Sequence, residues 1–540
     1  DRDMSLKYSF PSRRSAVMSN HGIVATSQPL AAQAGVSMLL KGGNAVDAAI
    51  ATAAALNVVE PMMTGLGGDV FALVYLSQSN ELKALNASGR APYAASLGTL
   101  QNLGYQKMPE TGIHTVTIPG ALDGWCSLLD NYGTMSLAQV LAPAIELAEH
   151  GFPVTEIIGH TWKANRPKLQ SNAITAGTYL IGGRAPEAGE VFVQPDLART
   201  FKKIARGGRD VFYRGEIAEA MVACSRENDG LITMQDLIDH TSTWVTPIST
   251  DYRGYDIYEC PPNGQGLVAL LALNILEGYD LKSLGHNSPE YLHLLIEAVK
   301  LAFADADKYV ADPDFVDIPL ENVLSKSYAE QRRQVINTNK ARQEAEAGDL
   351  DIPGDTVYLA VIDKEGNSVS FINSLYQEFG SGIVVGGTGI CLQNRGSLFS
   401  LKAGHPNCIE AHKRPYHTII PAMVFKDGNL FLTFGVMGGF MQPQGHVQVL
   451  LNIIDFNMDV QTALDAPRFR YIQGNDCAFE PGIPPSVVQK LADKGHCVVK
   501  LDDPYSQQFG GGQAIMVHPQ TKAFIGGSDS RKDGCAIGIW

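Results

Sequence analysis

The chain has 540 residues, 45% of them apolar, and a formal net charge of −14. That charge disfavours nucleic acid, whose phosphates call for an excess of Lys and Arg. No 18-residue apolar run provides a membrane span and no apolar segment marks a leader within DRDMSLKYSFPSRRSAVMSN, so with Met4 read as the start the expectation is a soluble, cytoplasmic protein.

Length alone suggests about three or four domains. No linker breaks the chain, so one large α/β unit is an equal reading. Gly22 to Ala25 forms a short strand. Leu30 to Leu40 has helical apolar spacing and stops at Gly42-Gly43. Asn44 then caps a second helix, Ala45 to Val58, with Asp47 placed for a capping box. That helix is rich in Ala with almost no polar face, so it belongs between layers. Gly65-Leu66-Gly67-Gly68 fits neither a dinucleotide loop nor a phosphate-binding loop, and reads as a close-packing turn. Residues 120 to 345 are mainly helical, including Ser288 to Val310, and are broken by a β-like segment from Ile248 to Tyr258. Lys340 to Leu350 is charged and without apolar period, which predicts an exposed, flexible segment.

Downstream, the chain turns β-rich, with two late helices. Val357, Leu359 and Val361 alternate with Tyr358 and Ala360 in a strand that Thr356 opens. It ends at the turn Asp363-Lys364-Glu365-Gly366, and Ser368 to Ser374 closes a hairpin. The eight cysteines lack C-x-x-C spacing and His partners at zinc spacing, so free buried thiols are expected rather than disulfides or a metal site. G-x-S-x-G, H-E-x-x-H and calcium-loop patterns are all lacking. His114, His417 and His446 read individually as surface or core residues.

Collinear motifs from about His21 to Gly534 resemble the γ-glutamyltransferase family of N-terminal-nucleophile (Ntn) hydrolases. They include KGGNAVDAAIA (41–51), GLGGD (65–69), IPGALDGW (118–125), DYRGYDIYECPP (251–262), TVYLAVIDKEGN (356–367), KRPYHTIIPAM (413–423), GVMGG (435–439) and DAPRF (465–469). The resemblance implies an α+β fold, a four-layer αββα sandwich with two central antiparallel sheets. It also implies self-cleavage between Asp355 and Thr356, giving a helix-rich large subunit, 1–355, and a β-rich small catalytic subunit, 356–540, within one intertwined unit, with a homodimer as a further option. Thr356 falls on the nucleophile, and its freed α-amine, with a pKa near ~8, would act as base. Ser374 falls on a second hydroxyl that orients it, and Gly438 and Gly439 on the oxyanion glycines. No metal or organic cofactor is implied.

The departures concern substrate. Leu398 stands where γ-glutamyl enzymes carry an acidic residue for the donor's α-amine, and Arg395 where a Gln is usual. His417-Thr418 replaces a Ser-Ser pair, and Tyr376 an Asn. Ser88 takes the place of a carboxylate-binding Arg, with Arg90 two residues on. Arg90, Tyr376, Arg395, His417 and Thr418 are therefore the candidate substrate-binding residues. An ammonium facing Leu398 would be a buried, unpaired charge. The expectation is hydrolysis of a small acidic amide without an α-amine, in the manner of cephalosporin (glutaryl) acylases, with oxamate amidohydrolase and a γ-glutamyl hydrolase or transferase as alternatives. The short Leu401 to His412 stretch points to an open pocket in which water is the acceptor. An unprocessed, non-catalytic binding scaffold is the alternative from a different class.

Overall fold

A computed structural model describes residues 14–343, 354–501 and 507–540. Two seven-stranded sheets lie face to face. The first runs, edge to edge, through Cys535–Gly538, Gly22–Thr26, Asp355–Asp363, Ser368–Tyr376, Asp69–Leu76, Glu81–Ala87 and Thr243–Val245. The second runs through Val17–Ser19, Phe524–Ser528, Gly511–Val517, Asn429–Met437, Ala422–Lys426, Tyr255–Glu259 and Ile248–Tyr252. Every pairing in both sheets is antiparallel.

The strand from Asp355 to Asp363 shows why the molecule is layered. Side chains alternate across a strand. Val357, Leu359 and Val361 enter the core between the first sheet and its helices, whereas Tyr358, Ala360 and Ile362 enter the core between the two sheets. Both faces are apolar because both are covered. Helices Pro29–Leu40, Ala45–Val59, Leu137–His150 and Pro195–Gly207 cover the first sheet. Gly266–Leu276, Pro289–Tyr309 and Met441–Ile454 cover the second. The result is the αββα sandwich. Both sheets contain strands from before and after Thr356, so the two parts of the chain share every core layer.

The Asn44–Asp47 capping box is present, and all of Ala45–Val59 is buried. The 65–68 turn is a close-packing one: a Cβ on Gly67 would lie 1.8 Å from Cys391 O, and one on Gly68 2.2 Å from Ser374 O. Some expectations need correction. The segment from Ile248 is a hairpin of two strands, turned at Arg253-Gly254 with both residues at positive φ. The strand opened by Ser368 continues to Tyr376, and three late helices follow, the third being Pro485–Asp493. Six cysteines are buried, but Cys497 is exposed and Cys535 half-buried. Of Lys340 to Leu350, residues 344–350 lie outside the described residues. The preceding stretch is docked: Ala341 is buried and its N–H donates to Lys494 O at 2.7 Å. No described helix is long and apolar enough to cross a membrane.

Candidate active site

Thr356 is the second residue of a strand buried along its whole length. Its Oγ1 lies 2.9 Å from Ser374 Oγ on the adjacent strand. Pairing slips here: Asp355 opposes Tyr376 and Val357 opposes Asn373, so Ser374 and Leu375 together face Thr356. A bulge of this kind re-aims a side chain. Ser374 Oγ donates to the Asp355 carbonyl at 2.9 Å and accepts the Tyr376 N–H at 2.8 Å. Since each hydroxyl has one proton, Thr356 is then the donor to Ser374. A relay therefore joins the Thr356 hydroxyl to the carbonyl of the peptide bond just before it.

Gly438 and Gly439 sit between Asn429–Met437 and the helix Met441–Ile454, with φ of +124° and +57°. Side chains rarely adopt these values. A Cβ on Gly439 would also stand 2.9 Å from Gly354 Cα. The residue two before Thr356 thus rests on the glycine pair. Gln265 fixes this wall: its Nε2 donates to Gly439 O at 2.9 Å and to Thr418 O at 2.7 Å, and its Oε1 accepts the Tyr416 hydroxyl at 2.9 Å.

Arg395 opens the short helical turn Arg395–Leu398 and is fully buried. Its Nη1 donates to Thr418 Oγ1 at 2.6 Å, and its guanidinium stands 4.5 Å from the Tyr376 ring centroid. Its Nε and Nη2 have no partner among the described residues. Burial lowers its pKa to about 10, so it remains charged at neutral pH. The Tyr376 ring reaches the Thr356 end of the strand, because a Cβ on Gly354 would meet it at 3.1 Å. Thr356, Ser374, Tyr376, Arg395, Thr418 and Gly439 thus form one contiguous group. Beside it, Leu398, Tyr416, Phe440 and Phe303 line a cleft of about 490 Å³.

Two candidates fall outside this group. Arg90 gives its Nη1 to Thr241 O at 3.0 Å, and its pKa is lowered by burial, against which Asp312 and Asp314 act. His417 is fully committed: Nε2 lies 2.8 Å from Asp69 Oδ2 and Nδ1 takes the Ile419 N–H at 3.4 Å. Burial and the Arg395 charge hold it down to about 3, so it is neutral and supports the wall from behind. His114 joins Tyr105 and Asp229 O, and His446 joins Glu259 in the helix-side core. Ser88 is tied to Asn86 Oδ1 at 2.6 Å.

Sequence reading missed Gln265 and Asp69. Asp69 gathers the Gly89 and Gly120 N–H groups and Gln393 Nε2 on one oxygen and His417 on the other. Its signal was the GLGGD motif, read only for its glycines. Gln265 had no signal, because its partners lie over 150 residues away. Asp355 was read only as a cleavage position. Its buried carboxyl is pushed well above the usual range, by burial first and then by Glu378.

Two sheets between helical layers, with a hydroxyl opening a central strand beside a glycine pair, define the class. This is an Ntn hydrolase, an enzyme acting on C–N amide bonds. The Gamma-glutamyltranspeptidase family profile matches residues 31–539. The chain is 42% identical to a glutathione hydrolase-like YwrD proenzyme of Bacillus subtilis, over 97% of this chain and 99% of that one. It is 35% identical to the acylase ACY 1 proenzyme of Pseudomonas sp. strain SE83, over 98% and 96%. The crystal structure of a cephalosporin acylase from Bacillus halodurans superposes with a TM-score of 0.94 at 45% identity, covering 99% of both chains. The protein belongs to the gamma-glutamyltranspeptidase family.

Proposed function

We propose that this protein is a self-processing acylase that hydrolyses the amide bond of a small acyl group bearing a distal carboxylate, through an ester on Thr356. The observation that carries this reading is Arg395: a buried guanidinium with two nitrogens free of partners among the described residues, in the same group as Thr356. A buried cation with open donors favours an anionic ligand, and a guanidinium holds a carboxylate with paired hydrogen bonds. Leu398, at the end of the same turn, offers no acceptor to an α-ammonium, which makes a glutaryl-type acyl group the better fit than γ-glutamyl.

The hydroxyl relay and the glycine pair support the following steps. Thr356 Oγ1 attacks the Asp355 carbonyl carbon while its proton passes by way of Ser374 to the departing Thr356 nitrogen. The Asp355–Thr356 C–N bond breaks as an Asp355 ester forms on Oγ1, and water then cleaves that ester, freeing the Asp355 carboxylate and returning a proton to Oγ1. Thr356 is then N-terminal, and Gly354 no longer rests on Gly439. For substrate, the freed α-amine takes the Thr356 proton as Oγ1 attacks the acyl carbon. Gly438 and Gly439 N–H groups hold the oxyanion, and each such donor contributes ~3 kcal/mol in comparable sites. The amine returns the proton to the departing nitrogen, which leaves by way of the cleft at Leu398 and Phe440. Water then releases the acid and restores Thr356. Site and cleft together call for a small-molecule amide substrate.

The test compares a glutaryl anilide with a butyryl anilide, which lacks only the distal carboxylate. A group that pairs with a buried charge contributes about 2–5 kcal/mol, so the glutaryl compound should be hydrolysed at least about 30-fold faster in kcat/KM. Equal rates would remove the basis for the reading.

A further inference from the structure

Far along the chain from Thr356, the helix Pro289–Tyr309 carries His293, Glu297 and Lys300 on successive turns, all buried. His496, from the turn after Pro485–Asp493, places its Nε2 2.8 Å from His293 Nδ1. The other His293 nitrogen, Nε2, stands 2.7 Å from Asn337 O. A carbonyl only accepts, so Nε2 holds the proton and Nδ1 turns a lone pair toward His496. Glu297 Oε1 pairs with Lys300 Nζ at 2.9 Å and Oε2 takes the Arg342 N–H at 3.1 Å. One ligand atom from each of His293, Glu297 and His496 lies within 4.8 Å of the others.

As a purely hydrogen-bonded clamp this cluster is incomplete. If His496 Nε2 donates to His293, His496 Nδ1 becomes an acceptor with no partner among the described residues, in a side chain only 3% exposed. Leaving such a group unsatisfied costs about 1–3 kcal/mol. Moving the proton to Nδ1 instead leaves two lone pairs facing each other, an arrangement that a cation completes.

We propose that His293, Glu297 and His496 form a binding site for a divalent transition ion of the zinc class. Two imidazole nitrogens and a carboxylate oxygen are a donor set suited to such ions. The helix spacing of His293 and Glu297, four residues apart, puts both on one face. The His293 hydrogen bond to a backbone carbonyl is the outer contact that fixes a ligating imidazole. Two ligands about 2.0–2.1 Å from a tetrahedral ion sit roughly 3.3 Å apart, so the nitrogens must part by about half an ångström. His496 follows Gly495, a turn glycine at φ +104°. Lys300 opposes the ion by sharing Glu297, which limits affinity. The site lies on both sides of Thr356 in sequence and, through Asn337 and Arg342, grips the segment that leads toward the scissile bond. A bound ion would therefore fasten that segment to the body after cleavage.

The experiment is titration of chelator-treated, dialysed full-length protein with Zn²⁺ by calorimetry, and with Co²⁺ followed by visible absorption. One ion per chain is expected, weakened at least tenfold in His496→Ala and in Glu297→Gln but unchanged in the exposed-site control His150→Ala. Lys300→Met, which removes the competitor and no ligand, should tighten binding. Absence of a stoichiometric site in both the native protein and Lys300→Met would overturn the proposal. So would binding that survives both ligand substitutions, since it would then belong to surface histidines. If a ligand variant does not fold, the Co²⁺ spectrum decides: bands of a low-coordinate nitrogen and oxygen site support the proposal, and the spectrum of the hydrated ion contradicts it.

Discussion

Arg395 and Arg414 are both buried arginines in the same wall of the sandwich, yet their surroundings differ in kind. Arg414 sends Nε to Ser88 O at 3.0 Å, Nη1 to Thr243 Oγ1 at 3.1 Å, and Nη2 to Thr241 O at 3.2 Å and Asn86 O at 3.4 Å. Every nitrogen has an acceptor, and the side chain ties the end of Glu81–Ala87 to the start of Thr243–Val245. Arg395 has one hydrogen bond, an aromatic face, and two nitrogens without a partner among the described residues. Burial depresses Arg414 to about 9 and Arg395 to about 10. The difference teaches that burial alone does not distinguish a structural cation from a binding one. Unused donors do.

The contrast depends first on Thr356 being the reacting centre beside Arg395. Thr356→Ala should remain a single chain on a denaturing gel and lose at least ~10³-fold in kcat, as loss of a nucleophile does elsewhere. The unsubstituted protein should yield a fragment beginning Thr-Val-Tyr. Cleavage at another bond would misplace the site.

Removing Arg414 should affect stability. Arg414→Leu strands four acceptors, and a buried acceptor left unpaired costs about 1–3 kcal/mol, so the loss should be several kcal/mol, measurable by denaturant unfolding. Arg395→Leu should do the reverse. Its Tm should hold or rise, while kcat/KM for a glutaryl amide falls about 100-fold, mainly through KM, because the carboxylate is present in ground and transition states alike. If Arg395→Leu unfolds the protein and Arg414→Leu spares it, the comparison is inverted.

The support behind Arg395 gives a pH signature. His417 has its pKa lowered from 6.5 to about 3, by burial and then by Arg395. Between those values the unfolded chain binds a proton that the native protein does not, so stability falls as pH falls through that window. One such group contributes a slope of about 1.4 kcal/mol per pH unit. His417→Gln should remove that much of the slope between pH 6.5 and 4 in urea unfolding. An unchanged slope would mean that His417 is protonated in the folded protein.

Much of this was legible in the sequence. The capping box at Asn44, the alternation after Thr356 and the glycine pair all act locally, so residue order suffices to find them. The motifs then fixed the layered fold. What could not be read was direction. Arg90 and Arg395 are equally plausible as residue types, but only the fold turns Arg90 to Thr241 and leaves Arg395 open. His417 looked like a ligand because its position was one, yet Asp69, 348 residues away, occupies it. Gln265 and Asp69 act through contacts of long sequence separation, for which a single sequence carries no periodic signal. The hairpin at Arg253-Gly254 was missed because two short strands share one β-rich composition.

The central claim is that an open, buried Arg395 beside Leu398 selects a carboxylate-bearing acyl group lacking an α-amine. Its most direct test is the kcat/KM ratio of the processed protein for a glutaryl anilide against its γ-glutamyl counterpart, which differ only in that amine. Burying an unpaired ammonium costs several kcal/mol, so the account predicts at least a tenfold preference for the glutaryl compound, reduced about tenfold in Leu398→Asp. Preference of the native protein for the γ-glutamyl compound would contradict it.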